Sequence, residues 1–174
     1  MKILDTERLS LSIISLDDAA FYLELINDPS WIANISDKGI RTLEAARESI
    51  LSGPVASQRT NGFSLYVVRR QDDNVAMGLC GLIKRDVLKN VDIGYAFLPG
   101  YAGQGYALEA AKAVVQYADA DLGLAKLAAI TSPSNQRSNH LLQKLGFILE
   151  EVLVLPGEER MTNLYGLTFT PRVI

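Results

Sequence analysis

VDIGYAFLPGYAGQGYALEAAKAVVQYA, Val91 to Ala118, is the stretch that decides the fold. It opens as a strand, Val91 to Leu98, turns through PGYAGQG, and becomes a long helix from about Tyr106 to Asp121. Along that helix Ala107, Ala110, Ala111, Val114, Val115 and Ala118 fall on one stripe, which can lie closely against a sheet. Gly103 and Gly105 remove side chains where the loop enters the helix. Backbone N–H groups there have no acceptors inside the helix, and the helix dipole adds partial positive charge. Such an end suits a phosphate or diphosphate. A plain glycine turn that lets helix pack on strand would use the same residues.

Two familiar phosphate loops do not fit. A Walker loop has its two glycines in Gly100 and Gly105, but Tyr106 and Ala107 stand in place of Lys and Ser/Thr. A dinucleotide fingerprint fails at Leu108, where a third small residue belongs.

Upstream, Leu9 to Ile14 alternates apolar and polar like a half-buried strand. Asp17 and Asp18 can cap a helix carrying Ala20, Phe21, Leu23, Leu25 and Ile26 and ending at Asn27-Asp28-Pro29. A second helix starts at Thr42, carries Ala45, Ala46 and Ile50, and stops at Gly53-Pro54; Trp31 to Ile40 reads as a loop. Phe63 to Arg69, Val75 to Lys84 and Val91 to Leu98 form an antiparallel meander, because their connections are short. Downstream come a strand, Lys126 to Thr131, and a helix from Asn135 to Leu145 ended by Gly146. Strands at Phe147 to Leu155 and Asn163 to Phe169 close the chain. With no repeat or linker, residues 1–174 read as one domain of α/β class on a mixed sheet.

Composition narrows the function classes. The 174 residues carry 17 Lys plus Arg against 20 Asp plus Glu, a net charge of −3, so a dedicated nucleic-acid binder is not expected. One cysteine, Cys80, and one histidine, His140, allow neither an internal disulfide nor a zinc site of several histidines or thiolates, so no metal is expected. No apolar run is long enough for a membrane helix and the start lacks a signal peptide's apolar stretch, so a soluble cytoplasmic protein is expected.

AGQGYA at 102–107 resembles the Gln/Arg-x-x-Gly-x-Gly/Ala loop of the GNAT superfamily of acetyl-CoA-dependent N-acetyltransferases. NQRSNHLLQKLGF at 135–147 resembles that superfamily's second signature, Asn-x-x-Ser/Ala-x-x-Leu-x-x-x-x-Gly-Phe. DTERL at 5–9, VDIGY at 91–95 and GYALEA at 105–110 are similar to its RimJ/RimL-like ribosomal-protein branch. The resemblance implies a GNAT fold: a mixed, mostly antiparallel sheet of six or seven strands flanked by about four helices, ordered β-α-α-β-β-β-α-β-α-β-β. It also implies acetyl-CoA as donor and an amine as acceptor.

Carried onto this sequence, the resemblance puts the diphosphate on the amides of Gly103, Gln104, Gly105, Tyr106 and Ala107. Ala102 stands where Gln or Arg is usual, so one side-chain contact is absent. The pantetheine lies along the fourth strand, which splays from the fifth, and would meet backbone groups of Phe97 and Leu98; an amide of either could polarise the thioester carbonyl. Asn135 either binds pantetheine or caps its helix. Asp92 is the candidate general base, or else a solvated strand carboxylate. Leu142 occupies the place of the family's usual acidic tyrosine, so Ser138 is the candidate partner for the departing sulfur, or else a helix-surface serine. Glu109 is adequately explained by the helix dipole.

His140 is expected to be exposed and Cys80 to be packing, while Trp31 is either an acceptor-site wall or a buried anchor. Arg69-Arg70 and Lys84-Arg85 read as strand ends in solvent. The expected acceptor is a protein N-terminal α-amine. A small amine, or a non-catalytic acyl-CoA-binding role, is the alternative. The acceptor walls are expected around Trp31 to Ile40 and Pro156 to Thr162, and the chain to be a monomer or homodimer.

Overall fold

The computed structural model describes residues 1–170. The chain begins with two antiparallel strands, β1 (Lys2–Asp5) and β2 (Leu9–Ile13), and a short 3-10 turn at Leu16–Asp18. Helices α1 (Ala19–Ile26), α2 (Pro29–Asn34), α3 (Leu43–Ile50) and α4 (Ala56–Asn61) follow. Next come β3 (Leu65–Arg70), β4 (Ala76–Ile83), β5 (Asp92–Phe97), α5 (Tyr106–Ala120), β6 (Lys126–Thr131), α6 (Gln136–Lys144), β7 (Ile148–Val154) and β8 (Met161–Thr168). One eight-stranded sheet has the order β1-β2-β3-β4-β5-β6-β8-β7. Every neighbouring pair is antiparallel except β5 and β6.

The α/β architecture and the strand-glycine-helix unit stand as expected, with three differences in detail. The sheet has eight strands rather than six or seven, because the short opening segment pairs with β2. Four residues are too few to show a period, so only the partner strand makes them a strand. Asn27-Asp28-Pro29 ends one helix and starts another: the Asp28 side chain accepts from the Ser30 N–H at 2.9 Å, and Pro29 takes the first helical turn, where its missing N–H costs nothing. Trp31 therefore sits on a helix, not in a loop. Gly53-Pro54 does not stop the next helix either. A π turn at Leu51–Val55 carries the chain past the proline into α4, and the left-handed Gly62 (φ 79°) ends it.

The sheet separates two cores. On one face α5 presents Ala110, Ala111, Val114 and Ala118 to Tyr66, Cys80, Ile93 and Leu127. On the other, α1 and α3 bring Tyr22, Leu25, Ile26, Ala46 and Ile50 onto Val67 and Leu79, with Trp31 from α2. Close strand contact needs Gly81, where a Cβ would fall 2.1 Å from the Ser64 carbonyl oxygen. Gly81→Ala should lower stability by about 1–3 kcal/mol, the range for overpacking a tight core. Denaturant unfolding measures it, and an unchanged midpoint would mean the strands separate more easily than this contact allows.

Candidate active site

Asp92 begins β5 at the one place where β5 and β6 are in register, opposite Ala128, with the Ala128 N–H donating to the Val91 carbonyl at 2.9 Å. Beyond it the two strands diverge. β5 stays laddered to β4 from Asp92 to Phe97, and β6 stays laddered to β8 along its length. The result is a V inside the sheet, closed at Asp92 and open toward Phe97 and Thr131.

The open end of the V faces the glycine turn. Pro99–Tyr101 forms a 3-10 turn, and Gly103 (φ 76°) and Gly105 (φ 80°) take left-handed backbone. Ala102, Gly103, Gln104 and Gly105 are exposed, and a Cβ at Gly103 would meet nothing within 4 Å. The Glu109 N–H makes its bond to the Gly105 carbonyl at 3.0 Å, so the amides of Tyr106, Ala107 and Leu108 precede the helical ladder. Tyr106 turns its ring into the core, leaving its backbone to the loop.

The Leu98 N–H is already used, donating to the Met77 carbonyl at 2.9 Å. Strand amides alternate sides, so the Phe97 N–H points away from β4, into the V. Of the two amides expected to polarise a carbonyl there, Leu98 is corrected: its N–H is tied into β4, while Phe97 keeps the geometry.

Across the V, α6 delivers Asn135 and Ser138. Asn135 is the N-cap, its Oδ1 accepting from the Ser138 N–H at 3.2 Å. The Ser138 hydroxyl is half-buried and partnered: Tyr95 Oη lies 2.7 Å from its Oγ and 3.3 Å from its carbonyl oxygen. Burial pushes the Tyr95 phenol up to about 12, against the pull of the Ser138 hydrogen bond. Tyr95 therefore stays a neutral donor. It projects from β5 toward the α5 face, with Ile93 and Phe97. Leu142, where a tyrosine was missing, is fully buried apolar packing.

Asp92 points to the opposite face of β5, since successive side chains alternate. It is 1% exposed, which overturns the solvated-carboxylate alternative. Its partner is Arg85, whose Nε donates to both Oδ1 and Oδ2 at 3.1 Å. Burial raises its carboxyl to about 6, with Arg85 pulling the other way. Arg85 is thus not a free strand end, nor are Arg69, paired with Asp18, and Arg70, paired with Asp73 at 2.5 Å.

Two polar groups escaped sequence reasoning. Tyr95 stood in the VDIGY stretch at 91–95, but nothing there assigned its hydroxyl a role. Asn139, one residue past Ser138, accepts from the Thr131 hydroxyl, from Tyr165 Oη at 3.1 Å and from Asn163 Nδ2 at 3.3 Å, tying α6 to β6 and β8. His140 is exposed, and burial raises the Cys80 thiol far above its ordinary range, so it is no thiolate nucleophile. Trp31 is buried with Tyr22 and Leu25 and acts as an anchor. Arg160, between β7 and β8, donates to the Ala33 carbonyl at 3.3 Å and brings that hairpin against the end of α2. A cleft of about 650 Å³ opens beside Leu98 and Tyr101, with Phe21, Glu24 and Asp28 from the α1 side.

Residues 8–148 match the acetyltransferase (GNAT) domain family. The uncharacterized N-acetyltransferase YoaA of Bacillus subtilis is 26% identical over 171 residues, 95% of this chain and 96% of that protein. Among solved structures, RimL, a ribosomal-protein α-N-acetyltransferase in complex with coenzyme A, superposes with a TM-score of 0.82 at 18% identity, covering 97% of this chain and 98% of that one. A variant of the spermidine N-acetyltransferase SpeG from Vibrio cholerae superposes with a TM-score of 0.73 at 19% identity, covering 94% and 95%. At these identities the two superpositions show a shared fold.

Proposed function

The chain belongs to the GNAT family of acetyltransferases, and on that premise we propose that it moves the acetyl group of acetyl-CoA onto a protein N-terminal α-amine, by direct attack in a ternary complex. The observation that carries the reading is the V between β5 and β6, open at the glycine turn and closed at a buried carboxylate. The loop amides from Gly103 to Ala107 take the diphosphate. The pantetheine lies in the V, where unpaired strand groups need partners, and Asn135 offers its carboxamide nitrogen while its oxygen caps α6. The Phe97 N–H receives the thioester carbonyl.

Asp92, five residues before Phe97 at the closed end of the V, takes the proton of the amine through water rather than directly, on one face of β5. On the other face Ser138, held by Tyr95, donates a hydrogen bond to the departing sulfur. A base near 6 suits an acceptor that is partly unprotonated at neutral pH. An α-amine titrates near ~7.7–8.0, a lysine-type amine near ~10.4. No helix among the described residues is long and apolar enough to cross a membrane.

A second reading has its own observation. Glu24 and Asp28 line the cleft beside Leu98, a setting that draws a small cationic amine rather than a neutral one. A panel of peptides with free Ser or Ala N-termini, the same peptides blocked but containing lysine, and polyamines separates the two. The α-amine reading expects the free N-termini to react fastest. Acetylation of polyamines alone overturns it in favour of the small amine, and no thiol release with any amine would leave a binding module.

Ser138→Ala should lower kcat by about tenfold, the scale of one lost hydrogen bond to a charged group, with CoA affinity nearly unchanged. Tyr95→Phe should give a smaller loss in the same direction. If either variant moves only the CoA dissociation constant, the hydroxyl pair serves binding and not leaving-group departure.

A further inference from the structure

We propose that Arg8 is a positioning residue for the diphosphate subsite, fixing the Gln104–Gly105 peptide so that the Gly105 N–H faces the ligand; this rests on the acetyl-CoA reading above. Arg8 Nη1 donates to the Gln104 carbonyl at 3.0 Å. In a trans peptide the carbonyl and the following N–H point opposite ways, and no cis bond occurs among the described residues. Holding the Gln104 oxygen toward Arg8 therefore turns the Gly105 N–H outward, to the side where the diphosphate would lie.

The guanidinium is itself clamped. Its Nε donates to Glu109 Oε2 at 2.7 Å, and its carbon lies 4.4 Å from the Tyr106 ring centroid. Glu109 Oε1 also accepts from the Arg8 N–H at 2.9 Å and the Thr6 hydroxyl at 2.6 Å. Burial resists ionisation of Glu109, but these bonds outweigh it and hold its carboxyl below the ordinary range. Since Glu109 stands in the first turn of α5, Arg8 is referenced to the helix whose amides do the binding. The dipole alone is thus an incomplete account of Glu109.

The loop needs such a brace. Residues 99–107 contain no Lys or Arg, and Ala102 leaves out a side-chain contact. Gly103 and Gly105 on either side of Gln104 have the widest backbone freedom, which binding would otherwise have to remove. Ordering the peptide in the free protein moves that entropy loss out of the binding step.

The test compares wild type with Arg8→Lys and Arg8→Ala, using CoA in calorimetry and both acetyl-CoA and S-acetylpantetheine, which has no diphosphate, as donors. Lys keeps the charge and can pair with Glu109, but it lacks the planar fork that reaches Glu109 and Gln104 together. Arg8→Lys should weaken CoA, and raise the KM for acetyl-CoA, by about tenfold, one charge-assisted hydrogen bond's worth, with kcat nearly unchanged. S-Acetylpantetheine should react as with wild type. Wild-type CoA affinity in Arg8→Lys, or an equal loss with S-acetylpantetheine, overturns the inference; the first result would make Arg8 a simple charge and the second a general support of the fold. Should Arg8→Ala fail to fold, Arg8→Lys alone decides between these outcomes. Failure of the wild type itself to bind CoA would overturn the acetyl-CoA reading and this inference with it.

Discussion

Gly105→Asp should cost roughly a hundredfold or more in CoA affinity, about 3 kcal/mol, while the chain still folds. Two effects add at one position. The new carboxylate would stand among the amides proposed to hold the diphosphate, replacing a charge-assisted contact, itself about 1.5–3 kcal/mol, with repulsion. It would also sit beside Arg8, because a Cβ at Gly105 lies 3.4 Å from Arg8 Nη2. The guanidinium would then be drawn from the Gln104 carbonyl to the new carboxylate, releasing the peptide it holds. The left-handed backbone at Gly105 (φ 80°) adds a stability cost of about 1–2 kcal/mol in free and bound protein alike. Calorimetry with CoA and thermal unfolding without it separate the two quantities. Normal CoA affinity in a folded Gly105→Asp protein would remove the diphosphate-loop reading.

Asp92→Asn should lower kcat by about 10²–10⁴-fold, the usual contribution of a general base. The pH profile carries the sharper information. With its carboxyl raised to about 6 by burial, Asp92 is mostly ionised and competent at neutral pH. Activity should fall on the acid side with a midpoint near 6, and that limb should vanish in the Asn variant. The stability sign is opposite to that of an ordinary salt-bridged carboxylate. A carboxyl whose folded value exceeds its unfolded value of ~3.9 favours the folded state most in acid. Its contribution is fully present below the unfolded value and is lost as pH rises through about 6, where the buried group must ionise beside Arg85. Asp92→Asn should remove this decline in stability between those values. An unchanged pH–rate profile would return Asp92 to a structural role as the buried partner of Arg85.

Much of the fold was legible because it is locally written. The helix stripe from Ala110 to Ala118 repeats at helical spacing, so α5 and its buried face follow from a few turns of chain. Lys126 to Thr131 matches β6 at both ends, being bounded by turn residues on each side. Asn135 at its N-cap and Gly146 (φ 90°) beyond the helix are equally local, since capping joins residues three or four apart. The misread segments have a local reason too. β1 is too short to show a period, Asp28-Pro29 is both a stop and a start, and a π turn absorbs Pro54.

By itself the sequence determined the elements other than β1, α2 and α4, their order and the glycine turn at the head of α5, because periodicity, caps and turn residues act within one element. Only the tertiary structure decided how those elements make a site. Tyr95 and Ser138 are 43 residues apart, and Arg8 and Glu109 are 101 apart, so no spacing along the chain could pair them. The same holds for the Leu98 amide, whose direction depends on its register against Met77. Asp92 is the clearest case. Its residue type is in the sequence, but its affinity for a proton comes from desolvation, and burial belongs to everything packed around it.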